Sequence, residues 1–190
     1  MSAGCKMTLA TAQVVGGLIK RELEKADAVE KCEIVGSVRR GNPEVGDVEI
    51  LYIPRFEERT PTGSIFPELV NLADIVFEKM LRSGLLSKRI SKTGNEMWGD
   101  KNKLALYNGD LAVDLFSCTE KTWVCNFLCR TGGKETNKNI AIAARKKGLK
   151  WRSTGEGFEG SEGKLFFRPR FEYDIFDIVG LDYLEPEDRP

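Results

Sequence analysis

Asp47 and Glu49 stand two residues apart in the run Gly46-Asp47-Val48-Glu49-Ile50-Leu51. In an extended strand, side chains alternate between faces, so positions 47 and 49 point one way while Val48 and Ile50 point the other. Two carboxylates at that spacing repel unless a cation lies between them. An all-oxygen site of this kind suits Mg2+, which takes few carboxylates and leaves positions open for phosphates. The same pattern also fits the polar side of a solvent-facing strand. A third carboxylate, Asp114, lies between Val113 and Leu115 in an otherwise apolar run, where an Asp is costly unless paired or metal-bound. If its strand neighbours that of Asp47 and Glu49, the three form a cluster able to hold two ions. Such a pair can activate an attacking hydroxyl and stabilise a leaving phosphate in an in-line displacement.

A second group precedes the paired carboxylates. In Ile34-Val35-Gly36-Ser37-Val38-Arg39-Arg40-Gly41, Gly36 lets backbone approach a ligand, Ser37 offers a hydroxyl and an amide, and Arg40 offers a guanidinium fork. That set can hold the terminal phosphates of a nucleotide, and it also fits a turn carrying two surface arginines.

The 190 residues contain no histidine, which removes Ser-His-Asp and Cys-His nucleophile pairs, His-liganded zinc and imidazole acid–base catalysis. Carboxylates, lysines, backbone groups or an oxygen-held metal must carry any chemistry. Lys and Arg number 29, balanced by 29 Asp and Glu, a net charge of zero that hides segregation. Residues 121–150 hold eight basic side chains against Glu135 alone, a net +7, and residues 151–190 come to −5. A local basic block fits a phosphate-binding face, and equally a solvated helix in a balanced protein. The five cysteines, Cys5, Cys32, Cys118, Cys125 and Cys129, lie in apolar stretches with no Cys-x-x-Cys pair, as expected of reduced core thiols in a reducing, intracellular compartment. The longest uncharged run, residues 7–19, is too short to span a bilayer.

These residues need elements to position them, and the periodicities supply a mixed α+β pattern. Residues 8–25 place Ala12, Val15, Ile19 and Leu23 on one helical stripe, residues 32–35 form a strand ending at Gly36, and residues 48–53 form another. Leu69, Leu72, Ala73, Val76 and Met80 follow helical spacing and predict a helix over 67–82, with Pro67 near its start and Gly84 beyond its end. Residues 104–107 and 111–116, joined by Asn108-Gly109-Asp110, give a hairpin signal. After Thr131-Gly132-Gly133 comes a helix to about residue 147, then short strands and a last helix near 173–179. A boundary is expected at 131–133, separating a domain of residues 1–130 from a second of residues 131–190.

Gly36-Ser37-Val38-Arg39-Arg40-Gly41 followed by Gly46-Asp47-Val48-Glu49 resembles the nucleotidyltransferase signature of family X DNA polymerases. Val113-Asp114-Leu115-Phe116 resembles the strand that bears that family's third catalytic aspartate. Thr131-Gly132 with Asn137-Lys138-Asn139 is similar to the loop and helix that hold the incoming nucleotide, and Asp174-Ile175-Phe176-Asp177 through Tyr183-Leu184-Glu185-Pro186-Glu187-Asp188-Arg189 to the end of the nucleotide-binding subdomain. The likeness runs in order from Thr8 to Arg189.

The resemblance implies an α+β fold: a nucleotidyltransferase palm with a mixed sheet flanked by helices, over residues 1–130, and a small α+β nucleotide-binding subdomain over 131–190. It implies that Asp47, Glu49 and Asp114 hold two Mg2+ or Mn2+ ions, and that Asp114 helps to deprotonate a DNA 3′-hydroxyl. Gly36, Ser37, Arg40 and Gly46 would hold the triphosphate, with Thr131 and Gly132 in the nucleotide loop and Asn137 at the base or sugar edge. Lys134, Asn137, Lys138, Ala141 and Arg145 fall on one stripe at steps of three and four, so Lys134, Lys138 and Arg145 could face a phosphate backbone. The implied function is nucleotide addition to DNA in short-gap repair synthesis, by a monomer with DNA and a nucleoside triphosphate as partners and no membrane.

Several positions depart from the family pattern. Glu49 stands where Asp is usual, which shifts the carboxylate and points to low activity or a preference for Mn2+. Cys129-Arg130 replaces an aromatic pair before Thr-Gly, Lys134 replaces an acidic nucleotide contact, and Ala141 replaces an arginine that probes the template. No lyase or helix-hairpin-helix module is expected ahead of Thr8, as in the reduced viral members of the family. Two other functions stay open: nucleotide transfer to a non-DNA acceptor, and DNA-end binding with a weakened metal site.

Overall fold

The computed structural model of the chain describes residues 6–60, 62, 65–91 and 93–190, so Cys5 lies outside the described residues. In chain order come β1 (Met7–Thr8), α1 (Leu9–Lys25), β2 (Val29–Val35), α2 (Gly36–Arg39), β3 (Glu44–Val45), β4 (Val48–Pro54), β5 (Phe56–Arg59) and β6 (Glu68–Asn71). They are followed by α3 (Leu72–Arg82), β7 (Leu86–Lys88), β8 (Asn102–Tyr107), β9 (Leu111–Ser117), α4 (Trp123–Thr131) and α5 (Lys134–Lys146). The chain closes with β10 (Lys150–Trp151), β11 (Phe158–Glu159), β12 (Leu165–Phe167) and α6 (Glu172–Val179). It divides into two compact units, one of Met1–Ile34 with Glu44–Ser117, the other of Val35–Pro43 with Cys118–Pro190. No helix among the described residues is long and apolar enough to cross a membrane.

The first unit is built on a five-stranded sheet in the order β2-β4-β9-β8-β7. It is mixed: β4 runs parallel to β9, while β9 with β8 and β8 with β7 are antiparallel. The β8–β9 hairpin turns where Asn108 (φ 49°) and Gly109 (φ 84°) take the left-handed conformation that these two residue types tolerate best. The helix α1 starts where Thr8 accepts a hydrogen bond from the Thr11 amide at 3.2 Å, and it buries the stripe Ala12, Val15, Ile19 and Leu23 that its spacing predicts. One face of the sheet carries Val48, Ile50 and Tyr52 toward α1 and α3. Gly16 of α1 lies so close to Val48 that an added Cβ would stand 3.2 Å from its Cγ1, and the Tyr52 and Phe77 rings meet edge-on at 5.5 Å. Each such apolar side chain contributes about 1.5–3 kcal/mol by leaving water. On the same face the buried Lys103 ammonium lies 2.9 Å from Asp74 Oδ1 in α3 and donates to the Gly99 carbonyl at 2.9 Å.

The helix expected over 67–82 begins later, at Leu72. Residues Glu68–Asn71 pair with Phe56–Arg59 as an antiparallel ribbon, and Asn71 accepts from the amides of Ala73 and Asp74 as an N-cap. Leu69, on the expected stripe, is therefore a strand residue 66% exposed. The cap residue outranked the periodicity, which counted Leu69 because a strand residue can fall by chance on a helical step.

The second unit packs α4, α5, α6 and the three-stranded sheet β10-β11-β12 around Cys125, Leu128, Ile140, Ala144, Phe158, Ile175, Phe176 and Val179. Burial pushes the Cys125 thiol up to about 11, and in the first unit the Cys32 thiol up to about 12, so neither is a nucleophile near neutral pH. Among the described residues no cysteine is in a disulfide.

Candidate functional site

Strand register places the acidic residues of the first unit. Glu49 of β4 stands directly opposite Asp114 of β9, and Asp114 stands opposite Leu104 of β8. The Arg89 amide donates to the Leu104 carbonyl at 2.9 Å, which carries the ladder one residue past β7. Residues directly opposite in a sheet share a face, so Glu49, Asp114, Leu104 and Arg89 lie abreast on the face turned away from α1 and α3. Asp47 lies one residue ahead of β4, half-buried, and Gly46 is exposed beside it.

Glu49 and Asp114 are the half-buried positions in strands whose neighbouring residues are buried. The Arg89 guanidinium reaches over β8 and donates from Nη2 to Asp114 Oδ1, with both side chains about 15% exposed. Carboxylate oxygens on adjacent strands are the donors that Mg2+ or Mn2+ takes, so the residues fit such an ion in kind. Among the described residues, no three His, Cys, Asp or Glu side chains converge closely enough to hold one. Sequence reasoning missed Arg89: residues 25 apart in sequence meet only because β8 lies between them, and nothing local to Lys88-Arg89-Ile90 signals it.

The second unit places the phosphate-type residues. Gly36 is buried and opens α2 with φ 67°, and Ser37 is half-buried. The two arginines that follow both turn to Thr131. Arg40 Nη1 donates to its carbonyl, while Arg39 Nη1 donates to its hydroxyl at 2.7 Å. Arg39 also grips Glu172 with both terminal nitrogens, at 2.9 and 2.6 Å, and its guanidinium lies 3.9 Å from the Phe127 ring centroid. The buried Arg189 donates to the same Glu172 at 2.8 Å and to the Leu184 carbonyl at 2.9 Å. Burial pushes the Glu172 carboxyl up, but the hydrogen bonds and charges of the two guanidinia outweigh it, and its pKa sits below the ordinary carboxylate value. The sequence offered Arg39 as a surface residue of a turn; its partner 133 positions later carried no local signal.

Thr131 ends α4 and Gly132, at φ 76°, follows it. Asn137 donates from its side-chain amide to the Cys129 carbonyl at 2.9 Å, pinning α5 to the end of α4, and its Oδ1 is buried with no hydrogen-bond partner. Lys134, Lys138 and Arg145 are exposed on α5, opposite the buried Thr136, Ile140 and Ala144. Lys138 shares its charge with Glu135 at 3.1 Å. The start of α5 is capped by the Pro190 carbonyl, which accepts from the amides of Glu135 and Thr136 at 3.1 and 3.2 Å. A Cβ on Gly133 would clash with that oxygen. Gly133→Ala is therefore expected to expel Pro190 and lower stability by about 1–3 kcal/mol, read as a fall in denaturant midpoint at unchanged slope.

Comparison with known proteins adds three likenesses. Residues 126–190 match the model of the family described as DNA polymerase beta thumb. The chain is 25% identical over 167 residues to DNA polymerase lambda of Rattus norvegicus, covering 83% of this chain and 28% of that protein. It is 24% identical over 166 residues to DNA polymerase lambda of Arabidopsis thaliana, covering 81% and 31%. The chain thus spans less than a third of the length of these curated relatives. Among solved structures, Leishmania infantum polymerase beta in a ternary P/T complex has a similar fold, with a TM-score of 0.75 at 18% identity, covering 100% of this chain and 78% of that one.

Proposed function

We infer that the chain is a family X polymerase, as the thumb match, the lambda relatives and the polymerase beta-like fold together support, and we propose that it adds nucleotides to a DNA 3′-hydroxyl. The observation that carries this reading is the placement of Glu49 and Asp114 side by side on β4 and β9, with Asp47 just ahead of β4.

In the reaction, the 3′-oxygen forms a bond to the α-phosphorus of a nucleoside triphosphate, the bond from that phosphorus to the bridging oxygen breaks, and pyrophosphate leaves. Asp47, Glu49 and Asp114 would hold divalent ions, which supply charge neutralisation at the triphosphate and make the hydroxyl more acidic. Asp114 orients the 3′-hydroxyl and takes up its proton. Gly36, Ser37, Arg40 and Gly46 bind the triphosphate through backbone amides, a hydroxyl and a guanidinium. Thr131 and Gly132 shape the nucleotide loop, and Asn137, through the Oδ1 that lacks a partner, orients the base or sugar. Lys134, Lys138 and Arg145 bind the DNA backbone, in short-gap repair synthesis.

The test is transfer of an α-labelled nucleotide to labelled acceptors of different class: gapped DNA, single-stranded DNA and RNA, each with Mg2+ and with Mn2+. Label is expected on the DNA 3′ end, with Mn2+ the more effective ion. Label on RNA alone would move the assignment to a non-DNA acceptor. The pairing of Asp114 with Arg89 favours a second reading, a DNA-end-binding protein with a weakened metal site. Glu49→Asp separates the two: a modest change in rate supports the enzyme, whereas activity that appears only in the variant supports the binding protein.

A further inference from the structure

We propose that β6 is a dimerisation edge, pairing antiparallel with β6 of a second copy of the chain about a two-fold axis at Leu69, so that the two β5–β6 ribbons join into one sheet. The ribbon is a two-stranded sheet by itself, and two strands alone are marginal in water. The Leu72 amide donates to the Arg55 carbonyl at 2.9 Å, which makes Arg55 and Leu72 a bonded pair of the ladder. Bonded and non-bonded pairs alternate in an antiparallel ladder, so Glu57 with Val70 and Arg59 with Glu68 are bonded across the ribbon. The backbone groups of Leu69 and Asn71 therefore point outward, and among the described residues nothing outside the ribbon accepts from either amide.

The two edges of the ribbon are not equivalent. The root of β5 is tied down: the Arg55 amide donates to the Ala28 carbonyl at 2.9 Å, and Arg55 Nε to the Val29 carbonyl at 3.3 Å. Of the outward positions on β5, Phe56 lies beside that root, and a two-fold axis at Glu58 would set the carboxylate against its own copy. The edge of β6 is self-complementary. Opposite residues in a pair of strands share a face, so the axis passes through a residue. With the axis at Leu69, this exposed side chain meets its copy and the two leucines exchange both backbone bonds. The next outward pair is Asn71 with Pro67 of the second copy. The Asn71 amide donates to the Pro67 carbonyl, and the N–H that proline lacks has no acceptor to serve, because Asn71 is the N-cap of α3 and its carbonyl turns into the helix. Glu68 falls opposite Val70, so no like charges oppose one another. An axis at Val70 would pair Leu69 with Asn71, waste the committed Asn71 carbonyl and drive β6 against the start of α3. A contact of one short strand on another is small, so association depends on concentration, and the monomer expected from the sequence is the dilute form.

Sedimentation equilibrium of the full chain, without DNA or nucleotide, tests this. The mass is expected to rise from that of one chain toward twice that value as the concentration enters the high micromolar range. Over the same series, hydrogen exchange should slow several-fold at the amides of Leu69 and Asn71, while the Val70 amide, bonded inside the ribbon, changes little. Leu69→Pro deletes an outward amide that the ribbon does not use, and Leu69→Lys sets a charge against its own copy. Both variants should keep the mass of one chain at every concentration and melt, when dilute, within a few degrees of the wild type. A single-chain mass for the wild type at every concentration would overturn the proposal and leave the edge to a strand of another protein. A dimer that the variants leave intact, or in which the Leu69 and Asn71 amides exchange as before, would also overturn it by placing the interface elsewhere.

Discussion

Asp114→Asn is expected to lower nucleotide incorporation by about a thousandfold or more, the equivalent of roughly 4 kcal/mol of transition-state stabilisation, while the chain stays folded. The amide keeps the size of the carboxylate but loses its charge and its capacity to take a proton, both of which the proposed reaction requires. The structural cost is smaller. Asn still accepts a hydrogen bond from Arg89, and the guanidinium, 16% exposed, keeps some contact with water. A fall in melting temperature of only a few degrees is therefore expected. Asp47→Asn should behave alike, since Asp47 lies ahead of β4 and outside the sheet ladder. A large loss of stability with activity retained would make Asp114 a structural partner of Arg89 and nothing more.

Glu172→Ala is expected to produce the largest change in stability, a loss of about 3–5 kcal/mol, because it leaves two guanidinia facing one another without their shared anion. Arg39 and Arg189 both bond to Glu172, whose side chain is 10% exposed, and Arg189 has no contact with water at all. The pH dependence has a definite sign. The folded carboxyl lies below its ordinary value, so its contribution is fully present above the unfolded pKa of about 4.3 and is lost as pH falls through that value toward the folded one. Urea unfolding followed between pH 7 and pH 3 should show wild-type stability falling at the acid end, with a flatter profile for Glu172→Gln. Equal slopes for the two would place the acid sensitivity elsewhere.

What the sequence made legible was local. The stripe Ala12, Val15, Ile19 and Leu23 lies buried in α1, the Asn108-Gly109-Asp110 turn closes the β8–β9 hairpin, and an apolar strand interrupted by Asp114 pairs in register with the strand of Glu49. Each depends on spacing or turn chemistry within a few residues. What escaped was set by contacts between distant segments. The ribbon Phe56–Arg59 with Glu68–Asn71 took the first turn from the expected helix, Arg89 reached Asp114 across an intervening strand, and Arg39 turned inward to Glu172. In the last case the segment Val35–Pro43 groups with Cys118–Pro190, although the 74 residues Glu44–Ser117 separate the two in sequence. The alternation in Val48-Glu49-Ile50 set Glu49 on the face away from Val48 and Ile50; that Arg89 shares it depends on the order β4-β9-β8-β7, which no local pattern contains.

Single-nucleotide incorporation opposite a one-nucleotide gap tests the central claim most directly. With excess protein, one labelled deoxynucleoside triphosphate and Mg2+ or Mn2+, the primer should lengthen by one residue and release one pyrophosphate per extension, with no product in EDTA. No extension with either ion, under conditions where a known family X polymerase fills the same gap, would contradict the assignment of Asp47, Glu49 and Asp114 as its catalytic carboxylates.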